Sequence, residues 1–342
     1  MKICVHCFND IELKQFIRVN STETGVCDYC TNGVNSELLD VGELLDFFAE
    51  FIGIFKPNPE GKELTELIQS DWNLFSGEIE CHGLLSDILL ALKSSLDLDT
   101  KVSYIDDIIE CISYWDTLKD EIKWEKRFLT NTEILEDLGW NNFFDRKKTL
   151  EWPNSEPLFR GRLHYSGNQK EFRSDDMGSP EKSIVPAGRA NPQGIPYLYL
   201  SKSIETVLYE IRSTFLDEVS VGTFQIKEDS KVILVDFTEK ASAFSKVDEI
   251  IEYTKSMLLK RNISNDLSKP IRRYDSEIEY IPTQFICEYI RYISDSDGIL
   301  FNSSLHVGGK NIVLFKHDKV RCIKVEKHYI SQVEIRSEPI IA

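Results

Sequence analysis

Four short stretches of this sequence carry polar groups suited to one job. "FRGR" (159–162) sets Arg160 and Arg162 at the end of an apolar run. "AGRANPQG" (187–194) holds Arg189 in a loop where Gly188 and Gly194 allow the backbone to approach a ligand closely. "YLYLSKSIETVLYE" (197–210) offers Tyr197, Tyr199 and Glu210, and "GILFNSSLHVGGKN" (298–311) offers Ser303 and Ser304. A guanidinium is the preferred fork for phosphate oxygens. A carboxylate can stabilise positive charge that develops as a bond breaks. Three arginines, a glutamate and hydroxyls on neighbouring elements therefore suggest one polar site.

The elements that must position them are legible as patterns. "LFRGRLHY", "IPYLYLS", "VGTFQI", "KVILVDF", "DGILFNSS", "KNIVLFK" and "VRCIKVEKHYI" read as strands of a mostly antiparallel sheet. Helices interrupt them at "SIETVLYEIRSTF" and "TQFICEYIRYIS", and a charged helical insertion is expected near "SKVDEIIEYTKSMLLKRNIS". The helix that carries Glu210 is expected to be capped by Ser203 or Ser201. Its apolar stripe is Ile204, Val207, Leu208 and Ile211. Glu210 falls on the flank of that stripe, where a carboxylate can look into a cleft at the edge of the core.

The rest of the chain has a different texture. "ELLDVGELLDFFAEFIGIF", "LLSDILLALKSSL" and "YIDDIIECISYWDTLKDEIKWEKRFL" repeat apolar residues at helical steps, with "KPNPEG" (56–61) as a break. "EWPNSEP" (151–157) reads as a linker. The 342 residues are long enough for two or three domains, and the 42% hydrophobic content is enough for real cores. The expected division is 1–35, 36–150 and 151–342. A net charge of −17 argues against a general nucleic-acid binder. The most apolar run, "LLDVGELLDFFAEFIGIF", carries four carboxylates in eighteen residues, which excludes it as a bilayer helix. With no apolar leader in "MKICVHCFND", the expected location is the cytoplasm.

Cys4-Val-His-Cys7 and Cys27-Asp-Tyr-Cys30 form two C-x-x-C turns separated by nineteen residues. Two such turns close a tetrahedral S4 site for a structural Zn2+. Such an ion would stabilise a segment too small to build a core of its own. Lys2, Lys14 and Arg18 are balanced by Asp10, Glu12, Glu23 and Asp28, which favours a protein contact or scaffolding over nucleic acid.

The order "FRGR", "GRANPQGIPYLYLS", "ETVLYE" and "GILFNSS...GGKNIVLF" resembles the RES domain, from about Glu156 to Lys327. RES domains resemble ADP-ribosyltransferase folds and act on NAD, many as toxins of toxin–antitoxin pairs. The resemblance implies an α+β RES domain at 151–342. Ahead of it would stand a zinc ribbon and a helical region similar to HEPN domains. The Arg-x4-6-His pair of HEPN ribonucleases is missing, since His82 has no Arg at that spacing. By the same resemblance, Arg160 and Arg189 would hold the pyrophosphate of NAD as substrate, and Tyr199 the nicotinamide ribose. Glu210 would stabilise the ribosyl cation, and Ser303, with Ser304 as its rival, would complete the site. The Ser follows Asn302 here, where many RES domains have Pro.

The expected activity is NAD glycohydrolase or NAD phosphorylase, in a toxin or phage-defence setting with an antitoxin or trigger protein as partner. Two other readings stand beside it. One is an ADP-ribosyltransferase acting on a protein or nucleic acid. The other is an inactive zinc-ribbon and helical interaction protein, and a homo-oligomer fits any of the three.

Overall fold

The computed structural model describes residues 1–30, 33–77, 81–144, 147–165, 170–238, 242–269 and 277–334. By contact density the chain forms two compact units. One joins Met1–Tyr114 to Lys240–Leu259, and the other joins Trp115–Glu239 to Lys260–Ala342.

The first unit opens with three short strands, β1 (Lys2–Cys4), β2 (Glu23–Val26) and β3 (Asn35–Asp40), in the order β1-β3-β2. Helix α1 (Ile11–Asn20) lies between the first two in sequence. It is capped by Asp10, whose Oδ1 accepts from the Leu13 amide at 3.0 Å. Helices α2 (Leu45–Gly53), α3 (Leu64–Trp72) and α4 (Cys81–Ala91), with the start of α5 (Asp106–Trp124), follow the helical periodicity. One departure appears. "KPNPEG" does not simply break a helix. It lies within β4 (Phe55–Glu63), which pairs antiparallel with β5 (Lys101–Tyr104) through a register shift between Pro57 and Lys62. Prolines are tolerated at such a bulge because it needs no regular ladder. The N-terminal segment, as its size implies, has no core of its own. Ile3, Cys4, Cys7, Phe8 and Leu13 share one hydrophobic cluster with Phe48, Phe51, Ile68 and Leu85, and with Ala243, Ile250, Tyr253 and Leu258 from far along the chain.

The second unit is a mixed α+β body around an eight-stranded sheet, ordered β13-β9-β7-β8-β12-β11-β10-β6. Its strands are β6 (Lys147–Glu151), β7 (Leu158–Leu163), β8 (Leu198–Ser201), β9 (Glu218–Ile226), β10 (Lys231–Asp236), β11 (Gly298–Asn302), β12 (Lys310–Leu314) and β13 (Val320–Tyr329). Each expected strand is present, and among the described residues only β10 and β11 pair in parallel. The stretch read as a linker begins on sheet, because Glu151 pairs with Lys231. Short helices α6 (Glu133–Asp137) and α7 (Trp140–Phe143) precede the sheet in sequence; α8 (Ile204–Glu210), α10 (Ile281–Ile293) and the last part of α9 (Ile250–Ser268), from Lys260 on, fall between its strands. Among the described residues no helix is long and apolar enough to cross a membrane.

Strand alternation divides the sheet into two apolar faces. Leu158, Leu198, Leu200, Phe224, Leu234, Leu300 and Ile312 pack on one. Val219, Val221 and Ile330 pack on the other, with Phe159, Leu163, the α8 residues Ile204 and Leu208, and Ile211 just after α8 against them. The sheet has a seam. β7 pairs with β9 along its whole length, but it meets β8 at a single registered pair, Phe159 opposite Ser201.

Candidate functional site

Helix α8 sits at this seam for a simple steric reason. A Cβ on Gly161 would lie 2.6 Å from Val207 Cγ1 and 3.1 Å from Ile211 Cδ1, so the helix can rest on β7 only because that position is bare. Ser203 is the N-cap, accepting from the Thr206 amide at 3.1 Å. Gly161→Ala should destabilise the domain by about 1–3 kcal/mol through overpacking. The check is a lower melting temperature, accompanied by reduced activity because Glu210 rides on the displaced helix.

Glu210 is partly buried, and one of its oxygens is anchored. Oε1 accepts from Ser303 Oγ at 2.7 Å and from Asn311 Nδ2 at 2.6 Å. Ser303 Oγ in turn accepts from the amides of Leu305 at 3.2 Å and His306 at 3.1 Å. Its donor and both lone pairs are thus engaged within the protein. The sequence reading offers this hydroxyl to the substrate, but here it holds the glutamate. Ser304 is partly buried beside it, with no side-chain partner among the described residues. His306 ties the loop to α8, stacking on Tyr209 with centroids 5.0 Å apart and meeting Thr206 Oγ1 at 2.9 Å through Nδ1.

The Arg189 loop is held equally firmly. Tyr199 Oη donates to Asn191 Oδ1 at 2.7 Å and accepts from the Ala190 amide at 3.0 Å. Burial pushes the Tyr199 phenol above its ordinary range. Tyr199 therefore positions the loop, and its hydroxyl does not point at open space as a ribose contact would require. Gly188 is bare for the same reason, since a Cβ there would lie 2.5 Å from Asn191 Oδ1 and 2.8 Å from Tyr199 Oη. Gly194 supplies a left-handed turn at φ +82°. Both glycines thus shape the loop itself. Thr283 Oγ1 and Gln284 Nε2 bond the carbonyls of Arg189 and Gly188. Arg189 Nη1 donates to the Leu267 and Lys269 carbonyls at the end of α9, at 2.5 and 2.6 Å. Burial lowers its pKa, while the charge of Glu210 works in the opposite direction.

Arg160 and Arg162 alternate on β7 and line a cleft of about 730 Å³ with Leu163, His164, Phe172 and Ile211, among others. Residues from both faces of the strand contribute, so the cleft follows its edge where pairing with β8 has ended. Arg162 Nη2 donates to the Gly178 carbonyl at 2.8 Å, and its guanidinium lies 5.8 Å from the Phe172 ring centre. Arg160 Nη1 and Arg162 Nε are buried without hydrogen-bond partners among the described residues. Burial, then the neighbouring Arg162, pushes the Arg160 guanidinium down to about 10. A buried N–H without a partner is costly, so two such donors side by side on partly buried cations are suited to an anion. Glu210, Arg189 and Ser303 are not among the residues lining this cleft. Ile211, the residue after Glu210, does line it, and Tyr199 interacts electrostatically with both Arg160 and Arg189.

The buried charge has a testable cost. Arg160→Met should stabilise the ligand-free protein by roughly 1–3 kcal/mol, because an unpaired buried charge is replaced by a side chain that fits an apolar environment. The same change should abolish anion binding. Thermal melts with and without added pyrophosphate read both effects.

In the first unit, Cys4, Cys7, Cys27 and Cys30 converge as the spacing requires, with all four Sγ atoms within 4.8 Å of one another. Cys4–Cys30 and Cys7–Cys27 each stand at 3.4 Å. A zinc–thiolate tetrahedron with bonds near 2.3 Å has edges of about 3.8 Å, so this cluster could hold Zn2+ with small adjustments. His6 is exposed and outside the cluster.

Asn311 was not among the residues singled out from the sequence. A polar side chain at the head of the apolar run Ile312-Val313-Leu314 was the available signal.

The domain is thus an α+β body with an arginine-lined cleft at a sheet seam and an anchored carboxylate one residue before cleft-lining Ile211. A family model described as the RES domain matches residues 161–335, slightly over half of the chain, and the chain belongs to that family. The match starts at Gly161, so Arg162 lies within it and Arg160 one residue before it. No curated protein matches the chain.

Proposed function

We propose that this protein consumes NAD by cleaving its nicotinamide–ribose bond, on a domain of the ADP-ribosyltransferase type. The observation that carries this reading is a cleft lined by Arg160 and Arg162, each keeping one buried N–H without a hydrogen-bond partner among the described residues, and by Ile211, which directly follows a glutamate with one anchored oxygen. Arg160 and Arg162 would take the pyrophosphate, with Arg189 on its flank. Glu210 would face the nicotinamide ribose. The C1′–N bond breaks with its electron pair leaving on nicotinamide, which neutralises the pyridinium. The ribosyl carbon becomes oxocarbenium-like, and the Glu210 charge stabilises it. An oxygen of water or inorganic phosphate then bonds to C1′. Transfer of ADP-ribose to a macromolecule uses the same site with a different acceptor. The Cys4, Cys7, Cys27 and Cys30 cluster would hold a structural Zn2+ and take no part in this chemistry.

The test is purified protein incubated with NAD, with and without phosphate, followed by product chromatography. Free ADP-ribose indicates hydrolysis, ADP-ribose 1″-phosphate indicates phosphorolysis, and a labelled macromolecule indicates transfer. NAD left intact, also after adding lysate as a source of trigger, would favour the inactive interaction protein. A toxin or defence role with an antitoxin partner follows from the family reading and is tested by growth arrest on expression.

A further inference from the structure

The geometry points to Asn311 as the positioning residue of Glu210, fixing Oε1 so that Oε2 is the oxygen presented to the substrate. This inference rests on the reading of Glu210 as the charge-stabilising group.

Asn311 stands on β12 opposite Ser201 of β8 and opposite Phe301 of β11. It is 7% exposed and Ser201 is 4% exposed, so this polar pair is enclosed within the sheet. A buried amide needs partners for both of its ends. An ionised carboxylate can only accept, so the Asn311 atom facing Glu210 must be Nδ2. Oδ1 then faces Ser201, whose hydroxyl must donate, and that bond measures 2.6 Å. The proton order is thus forced along the chain Ser201, Asn311, Glu210. Ser303 delivers a second donor to the same oxygen. Among the described residues Oε2 receives no hydrogen bond. One oxygen is therefore fixed by two donors from different elements, and the other is left for a ribose hydroxyl or a developing cation.

Other charged groups around Glu210 are Arg189 from its loop, with Tyr199, Tyr280 and Arg212 acting on that arginine, and His306 on the Ser303 loop. Lys310, beside Asn311, bonds to Thr238. All of these remain in place when Asn311 is changed, so a change at the Glu210 carboxylate reports the lost amide.

The experiment uses full-length Asn311→Leu, close in volume and unable to donate, with Ser201→Ala as a milder second variant. The Glu210 carboxyl resonance is followed by carbon-13 NMR at one fixed pH, assigned by its disappearance in Glu210→Gln. Asn311→Leu should shift that resonance through loss of one of the two donors to Oε1, and Ser201→Ala should shift it less. In turnover, kcat for NAD should fall by about tenfold or more, with KM changed by less than about twofold. A purely structural role for Asn311 would lower the melting temperature and leave the resonance in place. An unchanged resonance in folded Asn311→Leu overturns the inference, and Ser201→Ala decides it if Asn311→Leu does not fold. The resonance needs no turnover. If the wild type leaves NAD intact but the resonance moves, the positioning role stands and the NAD reading falls.

Discussion

Glu210→Gln protein should consume NAD on the order of a hundredfold more slowly than wild type, or worse, with its fold intact. The geometry explains why this substitution is informative. The amide oxygen of Gln can still accept from Ser303 and Asn311, as Oε1 does now. What disappears is the negative charge and the second acceptor, so the loss measures charge stabilisation and not packing. Single-turnover rates, with melting temperature as the control, separate the two. Turnover at the wild-type rate by a folded Glu210→Gln protein would remove Glu210 from the mechanism. Arg189→Lys should be milder in rate and visible mainly in KM, because a lysine cannot both hold the α9 carbonyls and offer a planar fork.

The Cys27→Ser/Cys30→Ser double variant should lose about one zinc per chain and, with it, the order of the first unit. Structural zinc contributes on the order of 10 kcal/mol to small modules that fold around it. From the sequence alone, loosening confined to the N-terminal segment is the natural expectation. The structure extends it, because Cys4, Cys7 and Cys27 belong to the same cluster as Phe48, Phe51 and Leu258. Hydrogen exchange should therefore accelerate across residues 1–114 and 240–259, while the strands of the eight-stranded sheet keep their protection. Elemental analysis of the same sample gives the metal content, and full zinc retention would refute the cysteine assignment.

Much of the second unit was legible because its strands are short, apolar and separated by turns. Cysteine spacing and glycine-flanked Arg189 are local signals, and local signals survive without a fold. What escaped depends on pairing. Asn311 gains meaning only when β12 is set against β8, in a register that places it opposite Ser201. The internal roles of Ser303 and Tyr199 depend on which hydroxyls end up facing which amides, and spacing does not carry that information. The stretch 243–258 reads as an ordinary charged helix, yet its Ala243, Ile250, Tyr253 and Leu258 belong to a core begun at Ile3. In the same way, the pairing of β4 with β5 is a tertiary outcome that proline and glycine in "KPNPEG" disguise as a simple break.

The seam between β7 and β8 carries one further consequence. Where strands share a full ladder, their spacing is fixed by backbone geometry and evolution cannot adjust it gradually. Here α8 bridges the two leaves by packing on both β7 and β8, with Val207 resting on Gly161 of β7. The spacing at the seam is thus set partly by side chains. Exchanging Val207 for isoleucine can change the width of the opening without altering any residue that lines the cleft.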